Sequence, residues 1–201
     1  MKIYNRKDSK IVDCDTNDLY QYKVYIGENS ILLNPRCSYW YVDNEFVISR
    51  TGDSSNLNSQ IMCVEIFGYT PEYRMSSFSK GTDLPYINGC STKQLINPTR
   101  SGDPTFQMLY IPKGVSEQQH HIHSTPRVVY VAEGSGLSIV GTENNFKSYA
   151  LNQGDIIILP KMMPHHFETH DTHLLVLPVH VFSSGLDEYN HPMFNGTKKV
   201  K

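Results

Sequence analysis

Apolar residues gather in short segments along the chain, and glycine, proline or asparagine separates these segments. Their alternating side chains and their content of valine, isoleucine, tyrosine and phenylalanine favour β-strands. The chain has no long amphipathic helical pattern and no internal repeat, so it is predicted to form an antiparallel β-barrel or β-sandwich. The predicted strands are residues 22–26, 31–33, 38–42, 45–48, 61–67, 105–111, 119–125, 128–133, 137–140, 146–151, 155–159, 165–168 and 173–182.

Three stretches of the chain lack this pattern. Residues 1–20 are polar and predict no firm element. Residues 68–104 are interrupted throughout by glycine and proline, which predicts a long loop or an arm that packs on a partner subunit, with a short helical turn at 75–78. The predicted parts are therefore an N-terminal β extension with a long loop or arm over residues 1–104, a barrel core over 105–182 and a polar tail over 183–201.

Composition and charge narrow the class of protein. A net charge of −2 provides no basic surface for nucleic acid, and no apolar run approaches the ~18 residues needed to cross a membrane. The N-terminus lacks the apolar core of a signal peptide, and the four cysteines form no CxxC pair. We therefore expect a cytoplasmic protein with reduced thiols, whose partner is a small molecule rather than a nucleic acid or a membrane.

The histidines are concentrated in the second half of the chain. All nine lie at or beyond residue 120, so the strands from residue 105 onward are expected to carry the chemistry. In an extended strand His121 and His123 face the same way and His120 faces the other way. Two imidazoles on one face provide half of a metal site, whereas His120 and His166 are expected at the surface or at an interface.

The spacing around the first histidines resembles that of the cupin superfamily, whose members are jelly-roll barrels. The first cupin motif is G-x5-H-x-H-x3,4-E-x6-G. In this chain Gly114 precedes His121 by six intervening residues, and His123 follows after one residue. Arg127 stands at the position of the motif glutamate, and Gly134 closes the motif after six more residues.

The second cupin motif, G-x5-P-x-G-x2-H-x3-N, is also similar to a stretch of this chain. It corresponds here to Gly154, Pro160, Met162, His165 and Thr169. Methionine replaces the second glycine and threonine replaces the asparagine, and both changes are expected to concern turn geometry. The resemblance covers residues 105–182 and implies an all-β fold, a cupin-type double-stranded jelly-roll barrel with an N-terminal β extension.

The resemblance also implies a metal centre. The family's histidine ligands correspond to His121, His123 and His165, and Arg127 takes the place of the glutamate ligand. Arginine stays protonated and offers no lone pair to a metal. The set resembles thiol dioxygenases of the cupin superfamily, in which three histidines hold Fe(II) and open positions bind substrate and dioxygen. A divalent metal is therefore expected, with Fe(II) favoured and Zn, Ni or Mn as alternatives.

Three further residues are candidates for substrate handling. Arg127 could hold a substrate carboxylate beside the metal, because its planar fork suits bidentate pairing. His180, on the last strand, could act as a base next to the centre. Tyr110 and Gln107 lie on opposite faces of one strand, so one of them should face the cavity. Tyr110 is the candidate site residue, although it shares a strand face with Phe106, which favours a role in core packing.

These observations predict a metal-dependent cupin enzyme that acts on a small polar or acidic molecule, with Fe(II) dioxygenase-type chemistry favoured. One alternative is a metal-dependent isomerase, epimerase or lyase acting on a sugar or small acid. The other is a non-enzymatic cupin that binds a small molecule, for which Arg127 should be paired with a protein carboxylate. The N-terminal extension is expected to supply extra strands or a dimer contact, so a homodimer is expected.

Overall fold

The computed structural model describes residues 1–15, 21–58, 60–98, 102–117, 120–142 and 144–182. The predicted polar tail over 183–201 lies outside the described residues. The strands are β1 (Lys2–Asn5), β2 (Lys10–Cys14), β3 (Tyr22–Ile26), β4 (Ile31–Leu32), β5 (Cys37–Asp43), β6 (Phe46–Thr51), β7 (Asn56–Leu57), β8 (Met62–Phe67), β9 (Arg74–Ser77), β10 (Leu84–Pro85), β11 (Ser91–Ile96), β12 (Thr105–Ile111), β13 (Arg127–Thr142), β14 (Asn145–Asn152), β15 (Asp155–Leu159), β16 (His165–Glu168) and β17 (Leu174–His180).

The chain is all-β, as predicted. Among the described residues the helical elements are two single 3-10 turns, Arg6–Asp8 and Ile87–Gly89. No helix in this part of the chain has the length and apolar character required to cross a membrane. The short strands follow from the sequence, because glycine and proline break each apolar segment before a helix could form.

Two large antiparallel sheets organise the molecule. The barrel sheet has the order β1-β15-β13-β17-β12-β11-β10, and the N-terminal sheet has the order β2-β3-β8-β5-β6-β9. Strand β13 is long enough to enter both layers of the barrel. Its first part pairs with β15 and β17, and its second part pairs with β14 and β16. The strands therefore enclose an interior between two layers, as in a jelly-roll barrel.

The alternation of side chains along the barrel strands divides the apolar residues into two layers. On β12, Phe106 and Met108 pack against the N-terminal sheet, whereas Leu109 and Ile111 face the barrel interior. The strands of the barrel sheet are buried on both faces, so their sequences are almost continuously apolar. Each large side chain buried in this way contributes roughly 2 kcal/mol to folding. A third cluster, which includes Tyr39, covers the far side of the N-terminal sheet.

The structure corrects three expectations for the first 104 residues. The polar stretch 1–20 contains β1 and β2, and the supposed loop over 68–104 contains β9, β10 and β11. The helical turn expected at 75–78 is wrong, because Arg74–Ser77 is a strand that pairs with β6. Strands β1, β10 and β11 hydrogen-bond within the barrel sheet. Hydrogen bonds between strands therefore cross the boundary predicted at residue 104.

Gly134 allows β13 to pass from one layer of the barrel to the other. Its φ is +77°, and a Cβ there would lie 1.9 Å from the backbone oxygen of His173. We expect Gly134→Ala to lower the free energy of unfolding by about 3 kcal/mol, from backbone strain and overpacking together. Urea denaturation monitored by tryptophan fluorescence measures this loss.

Gly81→Ala is the matched control for this substitution. Gly81 has a similar φ of +72°, but a Cβ there would meet nothing within 4 Å. We expect it to lose only about 1 kcal/mol, which is the strain alone. Equal losses of unfolding free energy in the two variants would show that the backbone at His173 moves away from the new Cβ without a cost in stability.

Candidate metal centre

Three imidazoles converge in the barrel interior. The nitrogen atoms that His121, His123 and His165 can offer to a metal all lie within 4.8 Å of one another. The Nε2 atoms of His121 and His123 are 3.0 Å apart, and their rings are nearly perpendicular at 86°. For nitrogen ligands about 2.1 Å from an ion, this separation corresponds to an angle of about 90° at the metal. The three side chains therefore fit a shared divalent ion.

Backbone hydrogen bonds bring the two histidine segments together. The His121 N–H donates to the His165 carbonyl at 3.1 Å, and the His165 N–H donates to the His121 carbonyl at 2.9 Å. The Met162 N–H donates to the His123 carbonyl at 2.7 Å. The strand predicted over 119–125 is wrong, because the described part of that segment forms only a single β-bridge at His121. His121 and His123 nevertheless line the same cavity.

The structure shows the conformation and contacts of the two residues that depart from the second motif. Met162 has a φ of +60°, the left-handed conformation that glycine adopts most easily. Thr169 is 2% exposed, and its hydroxyl accepts a hydrogen bond from the Val115 N–H at 3.0 Å and lies within donating distance of the Pro112 carbonyl. Thr169 therefore anchors the turn that precedes the histidine segment.

The protonation states of the histidines suit coordination. The His165 Nδ1–H donates to the Met163 carbonyl at 2.8 Å, which leaves the Nε2 lone pair available to a metal. Burial lowers the pKa of His123 to about 3, and the charge of Arg127 adds to this effect. Burial also lowers the pKa of His165 to about 4. Both imidazoles are therefore neutral near pH 7, as metal binding requires.

The neighbouring histidines support the centre from outside the cavity. The Nδ1 atoms of His120 and His166 are 2.8 Å apart, and the Nε2 of His166 lies 2.9 Å from a Glu168 carboxylate oxygen. The Nε2 of His120 hydrogen-bonds the Gly141 carbonyl. His120 and His166, which the sequence placed at the surface or at an interface, thus tie their two segments together on the face opposite the candidate metal ligands.

Arg127 lines the cavity and pairs with no carboxylate among the residues that the structure describes. It is 4% exposed, and its Nη1 donates to the Thr125 carbonyl at 3.1 Å and to the Pro126 carbonyl at 3.2 Å. Its Nε has no hydrogen-bond partner. Burial lowers the pKa of Arg127 to about 10, so the group stays charged at neutral pH. Within the described ranges no carboxylate pairs with it.

The cavity has a volume of about 340 Å³ and is lined by both polar and apolar side chains. His180 also lines the cavity, and its backbone lies opposite that of Arg127 where β17 pairs with β13. Burial, followed by the charge of Arg127, lowers the pKa of His180 well below its ordinary value. The lining residues are Leu84, Tyr86, Thr92, Gln94, Gln107, Leu109, Glu117, His121, His123, Arg127, Val129, Leu159, His165, Phe167, Val176, Pro178 and His180.

The structure corrects the prediction that Tyr110 faces the cavity. This side chain does not line the cavity but packs against the cluster between the two sheets, with its ring centroid 5.5 Å from that of His173. Gln107 faces the cavity instead, because residues at odd separations on a strand point to opposite faces. The Gln107 Nε2 donates to the Gln94 Oε1 at 2.8 Å, so these two amides form a polar strip on the cavity wall.

Sequence reasoning missed Glu117, Thr92 and Gln94. Glu117 precedes the histidine segment and is 7% exposed inside the cavity. The available signal was a charged residue within the first motif, between its glycine and its histidine pair. Thr92 and Gln94 lie on β11, which was predicted as part of a loop. Their two-residue spacing was the only sign of a strand with a polar inner face.

Comparisons with known proteins agree with this architecture. Residues 106–181 match the family model described as Cupin domain. A cupin 2 conserved barrel domain protein from Leptotrichia buccalis is 14% identical, with a TM-score of 0.51 over 89% of this chain and 95% of that chain. No curated protein matches the chain in sequence.

Two further solved structures are similar over a smaller part of the chain. The polyketide cyclase RemF from Streptomyces resistomycificus is 19% identical over 56% of this chain and 86% of its own, with a TM-score of 0.41. Hydroxypropylphosphonic acid epoxidase from S. wedmorenis is 14% identical over 50% of this chain and 56% of its own, with a TM-score of 0.44. At these identities the likeness concerns the fold alone.

Proposed function

We propose, from the premise that residues 106–181 form a cupin domain, that this protein is a metal-dependent enzyme of the Fe(II) dioxygenase type acting on a small acidic molecule. The observation that carries the proposal is the convergence of His121, His123 and His165 in a cavity that is also lined by the cation of Arg127, which pairs with no carboxylate among the described residues. Three neutral nitrogen ligands and a nearby cation favour an anionic substrate, because its charge offsets both the metal and the guanidinium.

The arrangement of ligands leaves room for a reaction. Three protein ligands would leave further coordination positions on a divalent ion for substrate or dioxygen. Bound there, Fe(II) would supply the redox chemistry needed to activate dioxygen. His121, His123 and His165 would hold the ion, and the His165–Met163 hydrogen bond would keep the Nε2 of His165 directed at it.

The remaining residues of the cavity would bind and shield the substrate. Arg127 would hold the substrate carboxylate, because its Nε has no hydrogen-bond partner and none of the described carboxylates pairs with its guanidinium. Leu109, Val129 and Phe167 form an apolar wall that excludes water. A volume of about 340 Å³ suits a small molecule rather than a peptide or a polysaccharide.

A metal-dependent isomerase, epimerase or lyase is the second candidate, and His180 favours it. This partly buried imidazole lines the cavity next to Arg127, and its lowered pKa keeps it in the neutral form that a general base requires. The third possibility, a binding protein without activity, predicted an Arg127 paired with a protein carboxylate. No such pair exists within the described part of the chain.

Anaerobic reloading tests the proposal. We expect metal-free protein to bind one Fe(II) per chain and, on addition of nitric oxide, to give the half-integer-spin resonance of a mononuclear iron nitrosyl, because an open position is available. Iron analysis and electron paramagnetic resonance measure the two results. Failure to take up any metal would remove the proposal. Tight retention of Zn or Ni, with no nitrosyl signal from iron, would favour the isomerase or lyase instead.

A further inference from the structure

We infer that Glu117 is a second ligand-binding residue of the cavity and that the natural ligand carries a hydrogen-bond donor, an amino or hydroxyl group, in addition to the anion held by Arg127. The inference extends the proposed function. It rests on that proposal only for the role of Arg127 as the residue that binds the anion. It assigns the ligand to the class of small amino acids or hydroxy acids.

Glu117 is buried with one carboxyl oxygen unsatisfied. The residue is 7% exposed, it lines the cavity, and its Oε2 has no hydrogen-bond partner. A buried polar oxygen without a partner costs roughly 1–3 kcal/mol, so such groups in folded proteins usually meet a ligand or an ordered water. Glu117 itself lines a space that a small molecule can enter.

The backbone holds Glu117 in this position. Its N–H donates to the Phe167 carbonyl at 2.9 Å, and its carbonyl lies 3.9 Å from the Sγ of Cys90, which is within the range of a thiol hydrogen bond. Phe167 also lines the cavity, on the same face of β16 as His165. The two backbone contacts fix the main chain at Glu117, and the residue is enclosed by the cavity wall at 7% exposure.

Glu117 and Arg127 occupy different parts of the cavity. Arg127 begins β13, where its backbone lies opposite Leu159 of β15 and His180 of β17. The Glu117 N–H donates to the carbonyl of Phe167 on β16, a strand that pairs with the second part of β13 in the other layer of the barrel. The anion and the donor of the ligand must therefore be separated by several atoms.

The chemistry of the second group follows from that of a buried carboxyl. A hydroxyl can donate to the unsatisfied Oε2, and an ammonium can donate and also compensate the charge of the carboxylate. A methyl group would leave the oxygen unsatisfied. Tyr86, whose pKa is raised by burial and by the charge of Glu117, lines the same end of the cavity. This end of the cavity is therefore polar, and an acid with a purely apolar tail would not complement it.

Calorimetric titration of the zinc-loaded protein tests the inference with three acids of equal length: pentanoate, 5-hydroxypentanoate and 5-aminopentanoate. We expect at least one of the two acids with a donor to bind wild type about tenfold more tightly than pentanoate, since one satisfied buried hydrogen bond corresponds to about 1.4 kcal/mol. Glu117→Gln should reduce the preference for the amino acid and leave pentanoate binding unchanged. Preference for the amino acid over the hydroxy acid would identify an ammonium as the donor.

Two control variants separate the inference from the function on which it rests. Glu28→Gln, at an exposed acid, should leave all three affinities unchanged. Arg127→Gln should weaken all three acids alike. Equal binding of the three acids to wild type, or a preference for the amino acid that Glu117→Gln leaves undiminished, would overturn the inference while leaving the role of Arg127 in binding the anion intact. Acid affinities that are unchanged in Arg127→Gln would instead overturn the role of Arg127 in binding the anion. Thermal denaturation would verify that Glu117→Gln, which keeps the side-chain shape, remains folded.

Discussion

Replacing His165 with alanine is expected to weaken divalent metal binding by at least about 100-fold, because loss of even an outer partner of a ligand costs 10–100-fold. His165 is the most buried of the three imidazoles, and its Nδ1–H is already committed to the Met163 carbonyl. Its Nε2 is therefore held in place before the metal arrives. Metal analysis after dialysis and calorimetric titration with Fe(II) under anaerobic conditions measure the loss.

His170→Ala is the matched control for His165→Ala, because His170 is exposed and does not belong to the three-histidine group. It should retain wild-type metal content, and His121→Ala and His123→Ala should resemble His165→Ala. Full metal content in His165→Ala would show that the ion is held elsewhere. A wild-type protein that takes up no metal after reloading would reduce the three histidines to buried polar residues of the core.

Arg127→Glu is expected to produce the second large effect, in which metal binding strengthens while acid binding is lost. Arg127 stands at the position where the first motif has a glutamate. At ~5 Å and an effective dielectric of ~20, a guanidinium repels a divalent ion by roughly 7 kcal/mol, and a carboxylate attracts it by a similar amount. Screening and relaxation reduce these values, so we expect a gain of at least about 100-fold in metal affinity. Competition with a chelator of known affinity measures the gain.

Arg127→Gln distinguishes the effect of removing the positive charge from the effect of adding a carboxylate ligand. It removes the repulsion but supplies no carboxylate, so its metal affinity should lie between those of wild type and Arg127→Glu. Both variants should lose the binding of pentanoate. The guanidinium donates through Nη1 to carbonyls of its own turn, and the new side chain must point towards the histidines to act. Unchanged metal affinity in both variants would show that position 127 does not reach the centre.

Much of the barrel could be predicted from local sequence. Residues 105–111 and 155–159 coincide with β12 and β15, because strands buried on both faces consist almost entirely of apolar residues. The same reasoning failed for β11, whose inner face carries Thr92 and Gln94 and therefore has the composition of a loop. It also failed for β1, a polar strand whose pairing with β15 brings together residues 150 or more positions apart.

The sequence by itself determined the chemical character of the site: two histidine motifs at set spacings, and an arginine where the family has an acid. The spacing predicted that His121 and His123 share a face, and both line the cavity although their segment is not a strand. Only the tertiary structure decided that Tyr110 faces away, that Gln107 takes its place, and that Glu117 enters the cavity. The physical reason is that a cavity forms between sheets, so its lining depends on how distant strands pack rather than on any one of them.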